Sequence, residues 1–233
     1  MNLFWETRRL TQAREDHLTC FVAAALEVDP AFCRAYEQRV LSPLAADGAV
    51  PRIKTVETQA VFQAASCRPD MMLRLTDGRR VLLEHKLDAP ETPGVDEAGE
   101  ATGQLERYLT LAVDAVAYFR SSIVSLARDV LDHPRYLRPA HGVHFQWRDL
   151  YAPLTHGKHV LSVWLRDGFE RLGFTPPVPH VGELWPDDSE DVRDEIWGQV
   201  WTIALGACEP QRSAMGPLEA AGVGSQGRWV HRV

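Results

Sequence analysis

Between Asp70 and Lys86 the chain spells out a β-hairpin that carries its own chemistry. Residues 70–75 (DMMLRL) and 79–87 (RRVLLEHKL) read as two strands, and Thr76-Asp77-Gly78 lies between them as the turn. Two loop lengths fit. A two-residue Asp-Gly loop pairs Asp70 with His85 and sends Glu84 to the opposite face. A three-residue loop, closed by a left-handed Gly78, pairs Leu75 with Arg79 and sets Asp70 directly opposite Glu84. Strand period then puts Lys86 on the same face as Glu84. The second register assembles a site and is the expected one. Like charges opposite one another weaken a ladder, so such a pair is reasonable where a divalent ion offsets the repulsion. Mg²⁺ suits one or two carboxylates completed by water and substrate oxygens. With a lysine two residues on to steer a water, these are the parts for metal-assisted hydrolysis of a phosphodiester.

Two helices bring further polar groups towards this hairpin. Over residues 10–27 the apolar positions Leu18, Phe21, Val22, Ala25 and Leu26 recur with helical period. Glu15 lies on that buried stripe near its start. A glutamate there needs a partner, or else gains only from the helix dipole. Gln104 and Tyr108 are four residues apart and so share one face of a helix expected over 103–113.

Pro69-Asp70, then Glu84-x-Lys86, resembles the PD-(D/E)xK nuclease superfamily. Gln104-Leu105-Glu106-Arg107-Tyr108 resembles the Gln-x-x-x-Tyr helix that follows the active-site hairpin in many members. Glu15-Asp16-His17-Leu18-Thr19 resembles the first helix, where many members carry an acidic residue. The likeness covers roughly residues 10–120 and is nearest to uncharacterised bacterial branches. It implies a restriction-endonuclease-like αβββαβ core, a mixed α/β sheet with helices on both faces. It implies that Asp70 and Glu84 hold Mg²⁺ or Mn²⁺ with help from Glu15. Lys86 would position the attacking water, and Gln104 would orient the lysine or a phosphate oxygen. The His85 carbonyl would join the metal site, with its side chain structural. The loop 88–103 departs from the pattern, being longer and more acidic than a plain connector. It is a candidate lid or regulatory contact.

The 233 residues carry a net charge of −7, which looks wrong for a nucleic-acid enzyme. The acids are concentrated, however. Residues 88–100 hold five acids and no base, and 183–195 hold seven acids and one base. The remainder has 20 acids and 24 bases, so a local basic surface is available to phosphates. Arg68, Arg74, Arg79, Arg80, Arg107 and Arg120 flank the hairpin and the following strand in sequence. The acidic segments would shield a groove or meet a basic protein partner.

No run of eighteen apolar residues is present, so no membrane span is expected. The start of the chain lacks a signal-peptide pattern. The four cysteines have no metal spacing, and a reducing cytoplasm is the expected compartment. His141-x-x-His144 and His156-x-x-His159 lack a third ligand at a recognised spacing and do not read as zinc sites. The tryptophans read as core rather than base-stacking residues.

Along the chain the expected order is helix 10–27, helix 30–41, strand 50–60, hairpin 70–87, helix 103–113 and strand 115–120. Helix 122–132, strand 142–147 and helices 148–155 and 158–172 follow. Residues 1–175 form the nuclease-like domain. Residues 176–233 form an extension, acidic with a helix over 192–205, then a Gly/Pro-rich tail. The expectation is a metal-dependent nuclease, on DNA more than RNA, in a defence or mobile-element setting. A homodimer would supply the two sites that cutting a duplex needs. The rival expectation is a catalytically silent or partner-dependent binding module on the same fold.

Overall fold

Two long helices precede the sheet in the chain, and local chemistry explains where each starts. α2 (Arg14–Val28) opens on Glu15 and Asp16, which favour the positive end of the helix dipole. α3 (Pro30–Val40) opens on proline at its first position, and the Asp29 carboxylate caps Ala31 N–H and Phe32 N–H at 3.1 and 3.2 Å. The other Asp29 oxygen accepts from Lys158 N–H and His159 N–H, both at 2.7 Å. One buried aspartate thus ties the start of α3 to the chain entering α7 (Val160–Arg171). Burial raises the Asp29 pKa, but these backbone donors outweigh it and hold the group below the usual carboxylate range.

The computed structural model describes residues 1–176 apart from 63–66, 88, 90, 92–93, 96–100 and 141. The chain divides into two units, Met1–Pro177 and Val178–Val233, and the described residues all belong to the first. The expected extension over 176–233 falls outside the described residues from 177 on.

Five strands make a mixed sheet: β1 (Ile53–Thr58), β2 (Met71–Leu75), β3 (Arg80–His85), β6 (Ala115–Arg120) and β7 (Phe145–Gln146), in that spatial order. β1, β2 and β3 are antiparallel, whereas β3, β6 and β7 run parallel. A separate two-stranded ladder, β4 (Gly94–Val95) with β5 (Ala101–Thr102), lies within the acidic loop. Strand alternation divides the sheet into two faces. Met71, Leu73, Val81, Leu83, Ala117, Phe119 and Phe145 pack against α2, α3 and α7 in the larger core. Met72, Leu82, Val116 and Tyr118 pack against α4 (Gln104–Thr110) and α5 (Arg128–Leu131) in the smaller one. The fold is therefore mixed α/β with helices on both faces. Among the described residues no helix is long and apolar enough to cross a membrane.

Four expected elements differ. The first helix starts at Arg14 rather than residue 10, because a separate α1 (Leu3–Arg8), capped by Asn2, buries Phe4 against Phe21 and Gly168. Of helix 122–132 only α5 forms, since Ser121 bonds Leu87 O and Val124 N–H donates to His144. Strand 142–147 shortens to β7 because Gly142 sits at φ +92° and Trp147 opens a 3-10 turn, Trp147–Leu150. That turn replaces the first half of helix 148–155 and leads into α6 (Tyr151–His156).

Candidate active site

The hairpin turn decides the site. Leu75 N–H bonds Arg79 O at 2.8 Å, Gly78 N–H bonds Leu75 O at 3.1 Å, and Gly78 adopts φ +90°. This is the three-residue loop with a left-handed glycine. The ladder pairs Arg74 with Arg80 and Met71 with Leu83, so one step further Asp70 stands opposite Glu84. Asp70 is fixed there because its Oδ2 accepts from His85 N–H at 2.7 Å.

The two layers of the protein meet at this end of the sheet. From the larger core, α2 supplies Glu15, whose Oε1 accepts from Leu87 N–H at 2.7 Å and whose Oε2 is 3.9 Å from Lys86 Nζ. From the smaller core, α4 supplies Gln104, whose Nε2 donates to Tyr108 Oη at 2.8 Å. The Tyr108 hydroxyl is in turn a polar neighbour of the Glu84 carboxylate and lowers its pKa. Lys86 Nζ lies 2.6 Å from Glu84 Oε1. All five expected residues are thus close neighbours in the fold. Gln104 also holds Tyr108. Tyr108 is a further site residue, and its spacing of four from Gln104 is the sequence signal for it.

Electrostatics at this end are strained. Glu84 is fully buried, and neither of its oxygens meets a hydrogen bond of good geometry. The Lys86 contact is an ion pair by distance alone. Burial and then the Asp70 charge push the Glu84 carboxyl up to about 8, against the pull of Lys86. Asp70 is also raised, by burial first, with the His85 N–H and the Lys86 charge opposing it. Burial disfavours the Lys86 ammonium, but Glu84, Asp70 and Glu15 together raise its pKa. His85 faces the larger core, where its Nδ1 is 2.8 Å from Thr19 Oγ1 and its ring meets Phe119 and Trp147. Burial, then Lys86, lowers its pKa to about 3, so it stays neutral. Trp147 Nε1 donates to Lys86 O at 2.9 Å and fixes the backbone of the lysine.

The donor set suits a hard divalent cation. It consists of carboxylate oxygens, and two of the acids stand cross-strand, Glu84 with both oxygens poorly satisfied and Asp70 held by the His85 N–H. Among the described residues no group of three or more His, Cys, Asp or Glu side chains gathers tightly enough to hold a metal. An ion here would rest on Asp70 and Glu84, with Glu15 acting one bond further out.

The flanking arginines divide. Arg79 and Arg80 lie at the turn end, bound to Asp77 and to Ala112 O respectively, away from the acids. Arg74 is exposed beside Glu57. Arg68 is exposed next to Asp70 in sequence. Arg107 and Arg120 stay near the site. His144 uses both ring nitrogens, on Phe145 O and Val124 N–H, and His159 caps α7, in keeping with structural roles. Trp147 is fully buried, as expected of a core residue. Compared with models of protein families, with curated proteins and with solved structures, the chain finds no match.

Proposed function

We propose that this protein is a metal-dependent nuclease that hydrolyses phosphodiester bonds of DNA, on a restriction-endonuclease-like core. The carrying observation is Asp70 cross-strand from a buried Glu84, with Lys86 Nζ at 2.6 Å. The order helix, three strands, helix, strand around that hairpin supports the same reading. Asp70 and Glu84 would hold Mg²⁺ or Mn²⁺, and Glu15 would steady Lys86 and ligand water. When bound, the ion supplies Lewis-acid polarisation of a phosphate oxygen and a more acidic water. Lys86 would orient the attacking water and balance charge on the phosphate. Electrostatic help of that kind is typically worth about 3–4 kcal/mol. Tyr108, held by Gln104, keeps Glu84 aligned and aids its ionisation. His85, neutral and locked to Thr19, fixes the strand between the two functional residues.

The test is incubation with supercoiled plasmid and Mg²⁺ or Mn²⁺, beside Asp70→Ala. Metal-dependent nicking by the natural chain alone is the expected result. A second reading is a binding module without turnover, favoured by the Lys86–Glu84 ion pair, which already gives Glu84 a cation. Calorimetry separates them, since no heat on adding Mg²⁺ or Mn²⁺ would support the silent module. Nicking of RNA instead of plasmid would keep the chemistry and change the substrate.

A further inference from the structure

β3, β6 and β7 end side by side. Their parallel register sets Glu84 beside Tyr118, His85 beside Phe119, and Arg120 beside Gln146. One step past His85, Lys86 falls beside Arg120. Phe119 and Phe145 belong to the larger core, so alternation turns Lys86, Arg120 and Gln146 to the other face, the one that carries Tyr118. Neighbouring strands are about 5 Å apart. The result is a row of three nitrogen donors, one step beyond the acids, at the carboxyl ends of parallel strands. Open α/β sheets take their ligands at such ends.

Arg120 is 6% exposed. Its Nη1 donates to Tyr118 Oη at 2.7 Å and its Nη2 to Ala89 O at 3.0 Å, both uncharged acceptors. Among the described residues its buried Nε finds no partner, and neither does the buried Gln146 Nε2. Among the described residues no carboxylate pairs with this guanidinium. Arginine is rarely buried unless paired, and unmet buried donors call for a reason. Tyr118 and Ala89 each take one N–H, and the guanidinium carbon lies 5.7 Å from the centre of the Tyr118 ring, so the charge meets an aromatic face but no anion. A planar guanidinium matches a phosphate in a way that a carbonyl does not.

We propose that Arg120 and Gln146 form a phosphate receptor beside Lys86, which takes a substrate phosphate next to the one attacked; its place on the substrate rests on the nuclease reading. Lys86 would then face the scissile group, and Arg120 and Gln146 would hold the neighbouring one in line.

The test measures binding by metal-free full-length protein in EDTA. Inorganic pyrophosphate is followed by calorimetry, and a fluorescein-labelled DNA oligonucleotide by anisotropy across a salt series. The natural chain is compared with R120Q, R120K and Q146L, with melting temperatures alongside. R120Q is expected to bind both probes about tenfold more weakly and to lower the DNA salt slope by about one. R120K keeps that slope, and Q146L loses a few-fold in affinity at an unchanged slope. Unchanged binding by R120Q and Q146L, with only a lower melting temperature in R120Q, overturns the receptor and leaves Arg120 as a pin for the 87–89 segment. If R120Q does not fold, R120K and Q146L decide alone, and natural-chain affinity in both overturns it. Plasmid nicking with unchanged KM in R120Q would keep the nuclease and reject the receptor. Loss of pyrophosphate binding in R120Q, with no nicking by the natural chain, would keep the receptor and reject the nuclease.

Discussion

Two glutamates, Glu37 and Glu84, are both fully buried, and their surroundings could hardly differ more. Glu37 lies on α3, facing β1. Its Oε2 meets Arg52 Nε at 2.7 Å and Arg34 Nη1 at 3.0 Å, and its Oε1 accepts Ile53 N–H at 2.7 Å. Every lone-pair direction that matters has a donor, and the result is a clamp between a helix and an edge strand. Glu84 has one ammonium, one tyrosine hydroxyl and a second carboxylate across the ladder. Burial of a charge is tolerated where hydrogen bonds and counter-charges are complete. Glu37 meets that condition and Glu84 does not. A carboxylate used only for structure would be under selection to look like Glu37. The deficit around Glu84 points to something that arrives from outside.

The largest effect that could break this contrast is on activity. Asp70→Ala and Lys86→Met are each expected to cut metal-dependent plasmid nicking by about 10²–10³-fold, with circular dichroism and melting close to the natural chain. Near-normal nicking by Lys86→Met would end the proposed role of the lysine. Next comes stability at the satisfied acid. Glu37→Ala should cost about 2–3 kcal/mol in chemical denaturation, because Ile53 N–H loses its acceptor and two arginines lose their anchor. That figure is held down because both arginines are roughly half exposed and regain water. A loss under about 0.5 kcal/mol, the scale of a surface substitution, would make Glu37 no more structural than Glu84.

The hairpin was legible because its signals are local. Thr-Asp-Gly marks the turn and leaves two loop lengths, the apolar runs fix the strands, and the three-residue loop, preferred because it assembles a site, brings Asp70 opposite Glu84. Lys86 came with it by strand period. The Glu15 and Gln104 positions were legible from helix spacing, and so was the proximity of Gln104 to Tyr108. What was not legible depends on partners distant in the chain. Glu37 reads as an ordinary helix glutamate until Arg52 and Ile53 are folded onto it. Asp29 reads as a helix cap, and its second pair of donors lies 129 and 130 residues away. Arg120 reads as one of several arginines near the site, and only the β3–β6–β7 register shows it buried beside Lys86 and Gln146. Residues 121–127 have an apolar content compatible with a helix, but their bonds to Leu87 and His144 are tertiary.

A pH experiment sharpens the comparison further. Folded Glu84 holds its proton up to about 8, whereas the unfolded chain releases it at the ordinary value near 4.5. Between those limits the folded state carries the extra proton, so metal-free stability falls as pH rises. The slope is at most about 1.4 kcal/mol per pH unit for one group. Glu84→Gln should flatten that fall, leaving the variant more stable than the natural chain at pH 8 without metal. Added Mg²⁺ or Mn²⁺ should raise the melting temperature of the natural chain at pH 8 and leave Glu84→Gln almost unmoved, since binding needs the ionised carboxylate. Equal pH slopes in both proteins would show that Glu84 is as well compensated as Glu37.

The smallest expected effect isolates the one neutral group that helps Glu84 ionise. Tyr108 receives Gln104 Nε2 at 2.8 Å, and its hydroxyl is a polar neighbour that lowers the Glu84 pKa. Tyr108→Phe removes that hydroxyl and keeps the ring that fills the smaller core. Loss of one such neutral polar contact is worth about 1 kcal/mol, the scale of a single net hydrogen bond. The Glu84 carboxyl should therefore hold its proton to still higher pH, and the metal-free loss of stability should extend further into the alkaline range. At pH 7 the divalent-ion affinity measured by calorimetry should weaken by about fivefold, the same 1 kcal/mol expressed as a binding ratio, and recover as the pH is raised. Recovery with pH is the part a packing role would not produce. A Tyr108→Phe protein that binds the ion as the natural chain does at every pH would reduce the Gln104–Tyr108 pair to core structure.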